Sequence, residues 1–276
     1  MHGCYAMTAT TALTAQSTEA VHAIHHTPPP FVAQQIDTTL SDIGCRVLKT
    51  GMLASAETIS VVVQAIRRYS IPTVVVDPVM VATSGSVLLP TEAVRTMRLE
   101  LLPLATVLTP NVPEAKMLLR DAGIAEEEMG LETREGEEDG AEGMVRLAKM
   151  VLSLGPKYVL LKGGHAPMIR AGTKTVLDVL VGGDRKDPMQ MQTKWVEGRN
   201  KHGTGCSLAA AIAGRLAQGH DMETAISLAF QYSVKAVQTA WGAEIGKGNG
   251  PINHLYCLRR GVSGWEGHED SESCEV

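Results

Sequence analysis

Short apolar runs alternate with longer segments of helical period along most of this 276-residue chain. The short runs are rich in β-branched residues and leucine and predict strands, whereas the longer segments predict helices. The predicted strands are residues 46–49, 73–77, 106–109, 158–162 and 176–181. The predicted helices are residues 56–69, 91–101, 112–122, 141–154, 204–217 and 222–241. This alternation is typical of βα units built around a mostly parallel sheet.

The predicted strands are almost continuously apolar. TVVVD at residues 73–77 and YVLLK at residues 158–162 carry no alternating polar positions, as expected for parallel strands that are covered on both faces. We therefore predict the α/β fold class, as a three-layer α/β/α sandwich. No internal repeat divides the chain, and residues 1–260 are predicted to form one domain.

Two acidic segments do not fit this core. EEEMGLETREGEEDGAE at residues 126–142 is too polar to pack, so residues 123–142 are predicted to be a solvated loop insertion. Residues 261–276 are predicted to be a disordered acidic tail for the same reason. No apolar run approaches the roughly 18 residues that a membrane span requires. Since no signal peptide is recognisable either, we expect a cytoplasmic protein without a membrane partner.

Composition narrows the class of partner. The net charge of −5 and the aromatic content of 4% provide no basic stripe and few stacking platforms, so we expect no nucleic-acid partner. The cysteines show neither a CxxC pair nor zinc spacing, which argues against a disulfide framework or a metal knuckle. They are Cys4, Cys45, Cys206, Cys257 and Cys274. A small-molecule ligand remains the expectation.

In open α/β sheets the ligand lies beyond the carboxyl ends of the strands. The polar segments that follow the predicted strands should therefore lie along one rim. They are Thr50-Gly51-Met52, Pro78-Val79-Met80, Pro110-Asn111 and Gly163-Gly164-His165.

The segment HGTGC at residues 202–206 precedes an alanine-rich helix. Two glycines let the backbone approach a ligand, and free N–H groups at a helix start bind phosphate. A plain glycine turn with Thr204 as the N-cap is an equally good interpretation. Cys206 falls in the first helical turn, where the helix dipole lowers the pKa of a thiol. The alternative is a buried cysteine that acts as a small hydrophobe.

Three other groups have both a structural and a functional interpretation. Asn111-x-x-Glu114 could help to hold a hydrated Mg²⁺, but the spacing and Pro113 favour a capping box. Asp77 is either a second acid near the metal or a strand-end turn residue. Lys162 ends a buried strand and needs an anionic partner there, such as a nucleotide phosphate.

Six segments in this order resemble the hydroxymethylpyrimidine/phosphomethylpyrimidine kinases of thiamine biosynthesis, within the ribokinase-like superfamily. They are TALTAQST (11–18), LKTGML (48–53), VVVDPVM (74–80), LTPNVPEA (108–115), LLKGGH (160–165) and HGTGCSLAAAIA (202–213). The resemblance implies ATP-dependent phosphorylation of 4-amino-5-hydroxymethyl-2-methylpyrimidine and then of its monophosphate. It also implies ATP and Mg²⁺ as cofactors and a homodimeric assembly.

The resemblance also implies roles for single residues. Gly203, Thr204 and Gly205 would form the anion hole for the transferred phosphoryl group, with Cys206 as the candidate base. Other ribokinase-like enzymes place an aspartate at the position of Cys206.

The remaining roles concern the two substrates and the metal ion. Asp77 and Glu114 would be the metal-side acids, acting through waters. Asn111, Lys162 and Gly163 would contact the nucleotide. Gln16 would pair with the pyrimidine edge through its amide donor and acceptor, and Met52 and Met80 would contact the ring.

Two features depart from the family pattern. Thr83 replaces a lysine that is common in bacterial relatives. The family's usual first strand and glycine-rich loop, GSDxSGGAGxQAD, are missing ahead of Met1, so we expect a ribokinase-like domain that is N-terminally truncated. Alternative functions are therefore a non-catalytic pyrimidine- or nucleotide-binding relative, or a pyridoxal kinase.

Overall fold

The computed structural model describes residues 2–81, 88–130, 140–164, 168–170, 173–240 and 245–256. The strands are β1 Ala12–Gln16, β2 Val21–His26, β3 Val47–Thr50, β4 Thr73–Val76, β5 Val107–Leu108, β6 Tyr158–Leu161, β7 Met168–Arg170, β8 Thr173–Gly182 and β9 Met189–Lys194. The helices are α1 Pro29–Asp42, α2 Ala56–Arg68, α3 Thr91–Thr96, α4 Val112–Asp121, α5 Glu126–Met129, α6 Gly140–Leu152, α7 Thr204–Ala217 and α8 Met222–Gln238.

All five predicted strands and all six predicted helices are present, with boundaries shifted by a few residues. The predicted helix over residues 91–101 ends as a π-helix, Met97–Leu101, and a 3₁₀ turn follows at Leu102–Leu104. Pro103 favours this change because it has no N–H to continue an α-helix.

The prediction missed elements with a weak apolar pattern. Strands β1 and β2 form a separate, largely exposed two-stranded sheet, and β9 reads MQMQTK. Helix α1 follows Pro28 and begins with two more prolines, which resemble a loop but fit the first helical turn.

The main sheet has seven strands among the described residues, in the order β3-β4-β5-β6-β8-β7, with β9 paired to β8. Strands β3 to β6 are parallel, whereas β7, β8 and β9 join the sheet through antiparallel pairs. The sheet is therefore mixed, and the predicted α/β class is confirmed.

The side chains of the sheet alternate between two hydrophobic clusters. Val74, Val76 and Leu161 pack with helices α1 to α6 on one face. Val75 and Leu160 pack with α7 and α8 on the other face. This alternation produces the predicted three layers, since successive strand residues point to opposite faces.

Part of the predicted acidic loop is structured. Residues 126–129 form α5, and Met129 is buried in the larger cluster, because this one apolar side chain can reach the core. Residues 131–139, Thr83 and the predicted tail at 261–276 lie outside the described residues. No described helix has the length and apolar character needed to cross a membrane.

Candidate active site

One face of the sheet carries a row of polar side chains at its carboxyl rim. Val47, Val75, Val107 and Leu160 pack toward α7 and α8, so the residues two positions later point the same way. These residues are Lys49, Asp77, Thr109 and Lys162. We call this set the rim row. Strand alternation alone therefore brings two cations, one acid and one hydroxyl together beneath α7.

Asp77 is the centre of the rim row and is only 2% exposed. Its Oδ1 accepts hydrogen bonds from Lys162 Nζ at 3.1 Å and from Thr109 Oγ1 at 3.3 Å. Its Oδ2 lies 3.8 Å from Lys49 Nζ. The buried carboxylate is thus held by two ammonium groups, which is how proteins tolerate a charge away from water.

Lys162 is the better enclosed of the two cations, with a side chain 12% exposed against 23% for Lys49. Burial opposes its charged form, but Asp77 and Glu114 outweigh burial and raise the pKa of Lys162. The expected anionic partner therefore exists within the protein itself, and the remaining ammonium surface can face a phosphate.

The first turn of α7 lies directly above this cluster. Gly203 is the N-cap with φ of +87°, a left-handed conformation that favours glycine, and no side chain caps the helix. Thr204 is not the N-cap, because its hydroxyl donates to the Lys201 carbonyl at 2.8 Å. A side chain at Gly205 would come within 3.2 Å of Lys162 Nζ. The uncapped N–H groups and the lysine can therefore act on one anion.

Cys206 is exposed in the first turn of α7 and faces Asp77. Partial burial and the Asp77 carboxylate raise the pKa of its thiol, and the two rim-row lysines only partly offset this. The lowering of the thiol pKa expected from the helix dipole is therefore wrong in direction, because burial and then the Asp77 carboxylate both raise it. The resting form is a thiol that can donate to Asp77.

The capping box predicted at Asn111 and Glu114 is present. The Glu114 backbone donates to Asn111 Oδ1 at 2.9 Å, and the Asn111 backbone donates to Glu114 Oε2 at 2.8 Å. Burial raises the pKa of Glu114 to about 7, with Lys162 acting in the opposite direction. A second cation nearby would favour its ionised form, so its chemistry fits a metal ion bound through water.

The metal prediction rests on few acids. Among the described residues, no three His, Cys, Asp or Glu side chains are grouped so that they could hold a metal ion. Asp77 is already paired with two lysines, whereas the described part of the chain holds no salt bridge to Glu114. The metal-side roles of Asp77 and Glu114 stay predictions.

Asp178 on β8 fixes the turn after Lys162. Its Oδ1 accepts from the Gly163 backbone at 2.9 Å, and burial raises its pKa to about 6. A side chain at Gly163 would lie 2.2 Å from the Leu177 carbonyl, so glycine permits this close approach. The predicted nucleotide contact at Gly163 thus lies on a turn whose backbone is bonded to Asp178.

The predicted pyrimidine contacts lie in three different environments. Gln16 is exposed at the end of β1, next to an irregularity in the pairing with β2. Met52 lies in the loop after β3, and its carbonyl accepts from Thr11 Oγ1 at 2.6 Å. Met80 is 0% exposed within the larger cluster, so a ring contact would require its neighbours to part. These three roles stay predictions.

Three residues of the site were missed by the sequence analysis, namely Lys49, Thr109 and Asp178. For Lys49 and Thr109 the available signal was their position two residues after an apolar side chain that packs toward α7. Asp178 could not be placed without the antiparallel pairing of β8, because that pairing reverses which end of the strand meets the rim.

Comparison with known proteins identifies the family. A family model described as phosphomethylpyrimidine kinase matches residues 1–253. The chain belongs to this family. A hydroxymethylpyrimidine/phosphomethylpyrimidine kinase of Rhizobium meliloti is 39% identical over 254 residues, covering 92% of this chain and 87% of that protein. The predicted family is therefore confirmed.

Solved structures of the same fold include a phosphomethylpyrimidine kinase and a pyridoxal kinase. A phosphomethylpyrimidine kinase of Clostridium difficile is 34% identical with a TM-score of 0.65, covering 85% of this chain and 87% of that chain. A Bacillus subtilis pyridoxal kinase, solved as an ADP complex, is 28% identical with a TM-score of 0.78, covering 94% and 89%.

Some curated relatives are much longer. A bifunctional thiamine biosynthesis protein of Geobacter sulfurreducens is 41% identical over 253 residues, which cover 92% of this chain but 47% of that protein. The chain spans less than half the length of this relative and of several others.

Proposed function

We propose that this chain phosphorylates the hydroxymethyl group of 4-amino-5-hydroxymethyl-2-methylpyrimidine, and then the resulting monophosphate, with MgATP as donor. The proposal rests on one observation, the rim row of Lys49, Asp77, Thr109 and Lys162 beneath the uncapped start of α7. Membership of the phosphomethylpyrimidine kinase family supplies the substrate.

The arrangement suits phosphoryl transfer, which depends mainly on positioning and on charge stabilisation. Backbone N–H groups of residues 203–206 would receive the transferred phosphoryl group, together with the Lys162 ammonium. Asn111 and the Lys162-Gly163 turn would contact the nucleotide phosphates. A hydrated Mg²⁺ near Glu114 would neutralise charge on the phosphates.

Cys206 would manage the proton of the substrate hydroxyl. Because its thiol is protonated at rest, it can act as a base only if its own proton passes to Asp77. In this step the hydroxyl oxygen bonds to the γ-phosphorus as the bond to the ADP oxygen breaks. The hydroxyl proton moves to the Cys206 sulfur, and the thiol proton moves to the Asp77 carboxylate.

Cys206→Ala tests this role. We expect kcat to fall by a factor on the order of 10² to 10⁴, while nucleotide affinity measured by calorimetry stays near the wild-type value. Cys206→Ser is the matched control for the hydrogen bond to Asp77, since it retains a donor but has a much weaker base. An unchanged kcat in Cys206→Ala would rule out the thiol as base.

The substrate is tested by measuring ADP release with the hydroxymethylpyrimidine, with its monophosphate and with pyridoxal. Pyridoxal phosphorylation is a second candidate, favoured by the TM-score of 0.78 to a pyridoxal kinase. Faster turnover of pyridoxal than of the pyrimidine would make pyridoxal phosphorylation the better supported function. Ligand-dependent thermal stabilisation without turnover would instead identify a binding protein. The cytoplasmic location and the homodimeric assembly also stay predictions. Light scattering can test the assembly.

A further inference from the structure

Residues 245–253 form a segment, here called the strap, that contacts both halves of the proposed site. Its Asn249 backbone donates to the Thr18 carbonyl at 2.8 Å, and its Gly248 backbone donates to Thr18 Oγ1 at 3.1 Å. Thr18 lies in the turn between β1 and β2, two residues after Gln16. The strap therefore holds the tip of the hairpin that carries the predicted pyrimidine contact.

The same strap holds the loop that leads into α7. The Arg199 guanidinium donates to the Lys247 carbonyl at 2.8 Å and to the Gly246 carbonyl at 3.0 Å. The His202 backbone donates to the Gly250 carbonyl at 3.0 Å. His202 directly precedes Gly203, the N-cap of α7. The strap is thus bonded immediately before the predicted anion hole.

The strap meets the hairpin through its own backbone N–H groups, which bond to the carbonyl and the hydroxyl of Thr18. A side chain at Gly248 would lie 2.2 Å from the Thr18 carbonyl oxygen, where no atom fits. Since backbone atoms have no rotamers to adjust, a shift of the strap is transmitted to the hairpin with little slack.

The far end of the strap is anchored in α8. Asn253 is 2% exposed, its backbone donates to the Ala236 carbonyl at 2.9 Å, and its Nδ2 donates to the Thr239 carbonyl at 3.1 Å. The opposite end of the hairpin is tied by Thr11 Oγ1 to the Met52 carbonyl. A two-stranded hairpin is marginally stable alone, so these external bonds set its position.

We infer that the strap sets the distance between the pyrimidine-contacting hairpin and the phosphoryl loop, with Thr18 and Arg199 as positioning residues. The inference rests on the proposed function, because it assigns the hairpin to the acceptor and the 203–206 loop to the phosphoryl group. Its physical basis is that a displacement of about 1 Å between reacting groups can cost on the order of 10² in rate.

The kinetic test uses Thr18→Ala and Arg199→Lys, which keeps the charge but cannot donate to both carbonyls in one plane. We expect each to raise KM for the pyrimidine on the order of tenfold and to lower kcat, with KM for ATP near wild type. Thr18→Ser should restore wild-type kinetics, since it keeps the hydroxyl. Arg67→Ala is the control for loss of an exposed arginine on α2.

The double variant separates positioning from loss of stability. If both residues act through the strap, the combined effect on KM will be clearly smaller than the product of the two single effects. Unchanged KM in both single variants, or equal changes in the KM values for pyrimidine and ATP, would overturn the inference.

Hydrogen exchange of the ligand-free protein gives a readout that is independent of activity. Arg199→Ala should lose protection at the Gly248 and Asn249 amides and in the β1–β2 pair, while α2 keeps its protection. Unchanged protection in the hairpin would overturn the strap. If Arg199→Ala loses this protection but the wild-type protein does not phosphorylate the pyrimidine, the role of the strap is supported. Only the proposed function is then contradicted.

Discussion

The two faces of the central sheet are built from the same strands but have different chemistry. The face toward α1 to α6 ends in apolar side chains such as Val76 and Leu161. The face toward α7 ends at the same rim in Lys49, Asp77, Thr109 and Lys162. Because side chains alternate along a strand, a polar residue can be added to one face without a change on the other.

The helices that cover the two faces also differ, in how their first turns are capped. Helix α7 presents Ala209 and Ala211 to the sheet, so it lies close and brings its uncapped first turn over the rim row. Helix α4 begins instead with a complete capping box, which satisfies the backbone N–H groups of Asn111 and Glu114. An uncapped helix start with cations beneath it is better suited to bind an anion than a capped one.

Among substitutions at the polar face of the sheet, loss of Lys162 should lower kcat/KM most. Lys162→Met leaves the Asp77 carboxylate with the Thr109 hydroxyl and the more distant Lys49, and it removes the ammonium from the proposed phosphoryl site. We expect kcat/KM to fall by a factor on the order of 10³, as for other groups that stabilise transition-state charge. Steady-state kinetics with ATP and the pyrimidine measure this.

Lys157→Met is the matched control for the Lys162 variant. Lys157 is exposed and immediately precedes β6, at the opposite end from Lys162. Its kinetics should stay near wild type. A similar loss in both variants would mean that charge on this strand matters generally and that the rim has no special role.

Loss of Lys49 should have the next largest effect. Its ammonium lies 3.8 Å from Asp77 and is partly exposed, so it contributes through charge across a more hydrated gap. We expect Lys49→Met to lower kcat/KM by a factor on the order of 10 to 10². Lys49→Arg, which retains the charge, should lose much less. Equal losses in the two variants would show that the shape of the lysine side chain matters and its charge does not.

Sequence pattern was sufficient for the central βα units because their strands are buried on both faces and read as unbroken apolar runs. It failed for β1 and β2, where most residues are exposed and no apolar face is evident. It also placed Asp77 and Lys162 at the rim but could not pair them, since their 3.1 Å contact depends on the register of three strands.

The contacts of the strap could not be predicted from the sequence pattern either. GKGNGP at residues 246–251 reads as an ordinary glycine-rich loop. Its partners, Thr18 and Arg199, are distant in sequence, and their side chains bind backbone atoms of the strap. Backbone contacts leave little trace in residue type except glycine itself.

Leu160 and Leu161 offer a direct comparison of the two faces. They are neighbours on β6, each at most 1% exposed, and they point to opposite clusters. Either leucine replaced by alanine should lower the free energy of unfolding by about 2–5 kcal/mol, measured by urea denaturation.

The two leucine variants should differ in turnover. Leu160 lies under α7 and next to the rim row, so its loss should lower kcat several-fold in the folded protein. Leu161→Ala should leave kcat unchanged below its melting temperature. Equal kcat values in the two variants would contradict the functional difference between the faces.

The smallest effect concerns Asp178, and it appears in the pH dependence of stability. Burial raises the pKa of this carboxyl from 3.8 to about 6, so the folded protein holds its proton more tightly than the unfolded chain. The contribution of Asp178 to stability is therefore full below pH 4 and falls as the pH rises from about 4 to 6. Asp178→Asn removes this dependence and keeps an oxygen that can accept from Gly163.

Unfolding of Asp178→Asn and wild type should accordingly be compared from pH 4 to pH 7. The variant should gain about 1–3 kcal/mol relative to wild type across this range, with most of the gain below pH 6. A difference between the two proteins that does not vary with pH would show that Asp178 ionises normally. Its buried hydrogen bond with Gly163 would then position the turn after Lys162 by geometry alone. The protonation state of Asp178 would have no effect on this turn.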